Sequence, residues 1–137
     1  MNIALAAHDK RKHLMQNLCI AYQPILKQHT LHATATTARQ IEEVTDLSIT
    51  KYLPGLLGGL QQIASMIVSN EIDMVILFHE PEDRAVNSWF VQLINLCDQQ
   101  NIPIATNIAS AEMLLLGIDA GLLNWRGLHK KTQGDTV

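Results

Sequence analysis

The stretch AHDKRK, residues 7–12, sets an imidazole, a carboxylate and an ammonium group within six positions, directly after an apolar run. Asp9 and Lys12 are three apart, so on a helix they share one face. Beside a helix N-terminus, whose free amides already favour an anion, Lys12 could neutralise a phosphate. The plainer reading is a capped helix with a solvated lysine. A second stretch, ATATTA at 33–38, offers the hydroxyls of Thr34, Thr36 and Thr37 and the amides of a helix start to the same kind of oxygen. Ala35 and Ala38 stand where a phosphate loop usually has glycine, and a simple threonine cap is the alternative. In PGLLGGLQQ, residues 54–62, Gly55 could let the backbone approach a ligand closely. Leu60, the first residue after the glycine pair, cannot transfer a proton. In HEPEDR, residues 79–84, His79, Glu80, Glu82 and Asp83 cluster without the spacing of a metal motif. Glu80, just past a buried strand, is the carboxylate best placed to face a site.

These loops need elements to hold them. NIALAA (2–7) and DMVILF (73–78) are apolar runs of the kind found in strands buried on both faces. TLHAT (30–34), SITKYL (48–53) and IPIATNI (102–108) read as further strands. Helical stripes lie between them. One follows Asp9, taken as its N-cap, and runs through Leu14, Leu18 and Tyr22 until Pro24 interrupts it. Others cover 36–47, Leu60 to Val68, Trp89 to Cys97 after a polar loop at 79–88, and Ser110 to Leu116. Alternating strands and helices with short connections specify an α/β fold, a mostly parallel sheet with helices on both faces. Ligands of such sheets sit beyond the carboxyl ends of the strands. The loops at 8–12, 34–38, 54–59, 79–84 and 106–110 are therefore the places to search.

Composition narrows the function. The 137 residues suffice for one domain, read here as 1–128 followed by a polar tail at 129–137. A net charge of −3 supplies no field for a nucleic-acid backbone, and 4% aromatic residues supply few surfaces for stacking bases. Neither a signal-type apolar segment nor a membrane-spanning run is present, which points to the cytoplasm. Cys19 and Cys97 lie inside apolar helical patterns and read as buried small hydrophobes, not as a disulfide.

Taken together, IALAAHDKRKHLM, LHATATTARQI, PGLLGGLQQIASMI and NIPIATNIASAEMLL resemble a methylglyoxal synthase, in that family's order and spacing over nearly the whole chain. The C-terminal IDAGLLNWRGL is similar to the end of the same family. The resemblance implies a three-layer domain with a central five-stranded, mostly parallel sheet, assembled as a homohexamer. It also implies a reaction without metal or organic cofactor. A carboxylate takes a carbon-bound proton from dihydroxyacetone phosphate, and phosphate then leaves to give methylglyoxal.

Carried over residue by residue, the resemblance keeps part of a phosphate pocket. Ala7, His8 and Asp9 match the family's AHD, and its phosphate-binding lysine falls on Lys12. The family's TGTTG reads TATTA, keeping Thr34, Thr36 and Thr37 around Ala35 and Ala38. SGPLGGDQQ reads PGLLGGLQQ, so Pro54 replaces a phosphate-contacting serine, Gly55 is kept, and Leu60 takes the place of the catalytic aspartate. The loop after the fourth strand is one residue shorter than the family's, without its histidine. Three expectations follow. The first is a phosphate- or anion-binding homologue with weak or no turnover. The second is an active enzyme using a relocated carboxylate, Asp9, Glu80 or Asp83. The third is a ligand-free regulatory or structural subunit.

Overall fold

The computed structural model describes residues 1–128, except the side chains of Leu56, Val86 and Asn87; the expected tail at 129–137 lies outside the described residues. Strands β1 (Asn2–Ala7), β2 (Thr30–Ala33), β3 (Ile49–Lys51), β4 (Met74–Phe78) and β5 (Ile104–Ala105) form one sheet in the order β3-β2-β1-β4-β5. Every pairing is parallel. Helices α1 (Lys12–Ala21), α2 (Gln23–Leu26), α3 (Ala35–Glu42), α4 (Gly59–Val68), α5 (Arg84–Gln100) and α6 (Ile108–Asp119) connect them.

The period of two along a strand divides the core. Ile3 and Leu5 of β1, with Met74, Ile76 and Phe78 of β4, pack with Leu18, Ile41 and Leu115 of α1, α3 and α6. Ala4 and Ala6, with Val75 and Leu77, pack with Ile63, Ile67, Leu93 and Cys97 of α4 and α5. The sheet is thus covered on both faces, which explains why β1 and β4 are continuous apolar runs. Burial pushes the Cys19 and Cys97 thiols up to about 12, so both are inert fillers of this core.

Boundaries differ from the sequence pattern in instructive ways. Asp9 does not cap the first helix. The Nδ1 of His8 accepts from the Lys10 amide at 3.1 Å and starts a 3-10 turn, Asp9–Arg11, that leads into α1. α3 stops at Glu42, five residues before the end of the expected segment at 47. α5 begins at Arg84, inside the expected loop. β5 is only two residues long, because Asn107 caps α6 through its side chain at 3.0 Å and turns the chain into helix early.

Candidate functional site

A cavity of about 380 Å³ opens at the carboxyl ends of the strands, where β1 lies between β2 on one side and β4 on the other. That is the reversal point of strand order, at which α/β sheets leave a crevice. Ala6, Ala7, His8 and Asp9 line it from the end of β1, and Thr34, Thr36 and Thr37 from the start of α3. Pro54, Gly55, Leu57 and Leu60 form a further wall, and Asp83 and Phe90 close it.

His8 is held at both ring nitrogens. Because Nδ1 accepts from an amide, the proton sits on Nε2, which donates to Asp83 Oδ2 at 2.8 Å. Asp83 occupies the cap position of α5 but makes no side-chain cap bond there. Thr37 Oγ1 accepts from the Ala7 amide at 3.3 Å and bonds Thr34 Oγ1 at 3.3 Å. Thr34 and Thr37 are only 4% and 2% exposed. Two hydroxyls joined by one bond spend one of their two protons on each other. The other has no acceptor among the described residues and lies in the cavity wall.

The glycines of the third stretch have separate reasons. Gly58 has φ of +116°, which favours glycine, and a Cβ on Gly59 would lie 2.0 Å from the Leu53 carbonyl oxygen. Gly55 has neither constraint; its Cβ would meet Leu60 Cγ at an ordinary 3.7 Å. Gln62 holds the loop from α4, its Oε1 accepting from the Leu53 amide at 2.8 Å. Leu60 is 5% exposed and belongs to the same packed cluster as Phe90 and Ile63.

The base of that loop is tied to buried His32. Its Nδ1 meets the Tyr52 hydroxyl at 2.8 Å and its Nε2 meets Asn2 Oδ1 at 2.9 Å. Burial pulls the imidazole below its ordinary value, against a smaller opposing pull from Glu71. The neutral ring is therefore the folded form. Its contribution to stability is whole above the ordinary imidazole value of about 6.5 and is lost as pH falls below it toward the depressed folded value. The melting temperature is expected to drop between about pH 7 and 5, and less steeply in His32→Gln, whose amide can keep both hydrogen bonds. His29, also lowered by burial, leaves a residual slope. An unchanged slope in the variant would remove His32 from this account.

Among the residues singled out in the sequence, Lys12, Ala35 and Glu80 do not line the cavity. Lys12 is the first residue of α1, half-buried and without an ion-pair partner among the described residues. The Ala35 amide donates to the Leu53 carbonyl at 3.3 Å, so it serves the loop. Glu80 turns away to pair with Arg11 at 3.2 Å. The acidic cluster of residues 79–83 is thus split between two cationic or imidazole partners. The sequence pattern had not singled out Leu57 or Phe90 as pocket walls. The pairing of Asp83 with His8, 75 positions away, had no local signal either.

A doubly wound parallel sheet with one small mixed cavity at its switch point defines a small-molecule-binding α/β domain. The family model described as MGS-like domain matches residues 16–106. Methylglyoxal synthase of Caldicellulosiruptor saccharolyticus is 54% identical over 127 residues, covering 92% of this chain and 90% of that protein. Methylglyoxal synthase of Clostridioides difficile is 47% identical over 131 residues, 95% and 96% of the two chains. The crystal structure of methylglyoxal synthase from Elizabethkingia anophelis matches with a TM-score of 0.74 at 34% identity, over 83% of this chain and 76% of that one. The chain belongs to the methylglyoxal synthase family. No helix among the described residues is long and apolar enough to cross a membrane.

Proposed function

We propose that this chain holds a small phosphorylated or anionic molecule in the cavity and carries out the family's elimination weakly or not at all. Leu60 carries the reading. It stands at the position that matches the family's catalytic aspartate, it lines the cavity, and its aliphatic side chain cannot take a proton. A positioned general base contributes about 10²–10⁴-fold, and that factor is forfeited. The anion's seat would consist of the Thr34 and Thr37 hydroxyls and the α3 start, whose first amides lack intrahelical partners. His8 would stand beside it, and Lys12 would reach in from the mouth. Pro54 offers that seat neither hydroxyl nor amide hydrogen.

Purified protein given dihydroxyacetone phosphate is expected to form methylglyoxal far below the roughly 1–10³ s⁻¹ of ordinary enzymes. Turnover in that range would overturn the reading. The competing reading, a relocated base, has one observation in its favour: Asp83 and Asp9 both line the cavity. It requires that Asp83→Asn or Asp9→Asn abolish the turnover found.

We assign the chain to the cytoplasm, consistent with its two free, buried thiols. We also infer the family's homohexamer, supported by exposed Met113, Leu116 and Leu122, at 75%, 56% and 69%. Phe90, at 4% exposed, packs in the core and does not contribute to that surface. Light scattering on the same preparations reads the assembly, and a monomer would remove this part.

A further inference from the structure

The cavity is furnished unevenly. One side is the buried Thr34–Thr37 pair at the start of α3, whose second hydroxyl proton has no acceptor among the described residues. Another side is hydrocarbon. Leu60 and Phe90, 5% and 4% exposed, are packed into the wall, whereas Leu57, 75% exposed, leaves most of its side chain free to cover a ligand. The two sides adjoin, since a Cβ on Gly55 would lie 3.7 Å from Leu60 Cγ and 3.9 Å from Thr34 Cγ2. The imidazole between β1 and α5 is already engaged. His8 accepts the Lys10 amide at Nδ1 and donates to Asp83 at Nε2, so its ring has no proton left for a carbonyl or hydroxyl oxygen of a ligand. Asp9 and Thr36 are exposed and keep their water. A ligand hydroxyl brought against Leu60 and Phe90 leaves water without gaining a partner, while a methyl group there is rewarded.

We propose that the cavity selects a phosphate monoester whose short carbon chain, of about three to five carbons, is bare of oxygen, over an oxygenated triose phosphate. The phosphate would accept the leftover threonine proton and face the α3 amides, and the chain would lie along Leu60 and Phe90 beneath Leu57. A space of about 380 Å³, at the small end of ligand pockets, suits that size. This rests on the reading of the cavity as an anion's seat, and names the carbon part that the anion carries.

The test is calorimetry on the intact chain with five probes: inorganic phosphate, glycerol 3-phosphate, dihydroxyacetone phosphate, propyl phosphate and isobutyl phosphate. Propyl phosphate and glycerol 3-phosphate share a three-carbon chain and differ only in hydroxyl groups. Propyl phosphate is expected to bind about tenfold or more tightly than glycerol 3-phosphate or dihydroxyacetone phosphate, and isobutyl phosphate more tightly still. Leu57→Ser, at an exposed position that should leave the fold intact, is expected to shrink that gap to about threefold or less while inorganic phosphate binds as before. The comparison among probes on the unaltered protein stands even if that variant folds poorly. Inorganic phosphate binding, with glycerol 3-phosphate equal to or tighter than propyl phosphate, would overturn the proposal and leave the anion reading intact. A gap that survives Leu57→Ser unchanged would overturn the hydrocarbon wall as its source. Binding by none of the five probes would overturn the anion reading and the proposal with it.

Discussion

Replacing Arg126 by methionine is expected to cost about 3–5 kcal/mol, because it takes the cation away from a buried carboxylate. Arg126 is 3% exposed and lies beyond α6, yet its guanidinium fastens chain segments that are remote in sequence. Nε donates to Asp73 Oδ1 at 3.2 Å. Nη1 reaches the Asn101 carbonyl at 3.1 Å and the Gln100 carbonyl at 3.4 Å. Nη2 donates to Asn70 Oδ1 at 2.6 Å and to the Ile72 carbonyl at 3.1 Å. Asp73 in turn accepts the Asn2 amide at 2.8 Å through Oδ2, bringing β1 into the same knot. The loss should appear as a melting temperature lower by about 10 °C or more. Arg126→Lys should recover little of it, since an ammonium group cannot fork among these acceptors. Adding Asp73→Asn to the methionine variant should cost less than the two changes summed, as expected for partners in one network. A simple sum would show that the two residues are not coupled, and a methionine variant as stable as the parent would show that the knot contributes nothing.

The second large effect is at Gly59. A methyl group there would lie 2.0 Å from the Leu53 carbonyl oxygen, 2.9 Å from its carbon and 3.0 Å from Thr34 Cγ2. Two of those atoms are backbone, so relief requires the loop itself to move. Gly59→Ala is expected to cost about 1–3 kcal/mol, the range of an overpacked interior. It should also weaken ligands, because the displaced Leu53 carbonyl accepts the Ala35 amide at the head of α3. Gly55→Ala is the contrast, with its nearest neighbour at 3.7 Å and no positive φ to lose. It should shift stability by less than about 0.5 kcal/mol. Equal melting temperatures for the two variants would contradict this assignment of the glycines.

These cases mark what a linear sequence can and cannot display. β1 and β4 were legible because burial on both faces writes an unbroken apolar run, and the switch-point loops follow from strand order once the strands are known. The start of α5 was not legible, since Asp83 holds the cap position but spends its carboxylate on His8. The first helix failed similarly: an imidazole, not Asp9, accepts a capping hydrogen bond, and it caps the 3-10 turn that precedes α1. His8, the threonine loop, Gly55 and Leu60 stood out as polar or glycine-rich punctuation at strand ends. Phe90 and Leu57 looked like members of ordinary apolar stripes, and only packing brings them to the cavity. Glu80 stood in the right loop but is paired with Arg11, and Lys12 lies outside the residues that line the cavity. Arg126 lies 53 positions from Asp73, a separation at which no local pattern connects two charges.

The Asp73–Arg126 knot gathers at the amino ends of the strands, whereas the cavity opens at their carboxyl ends, a β4 length away or about 17 Å. Mutational penalties at the two rims should therefore be independent of each other to within about 0.5 kcal/mol. The mouth of this barrelless sheet is free to exchange one chemistry for another while the far rim keeps the chain folded, much as a tool's head can be replaced without recutting the handle.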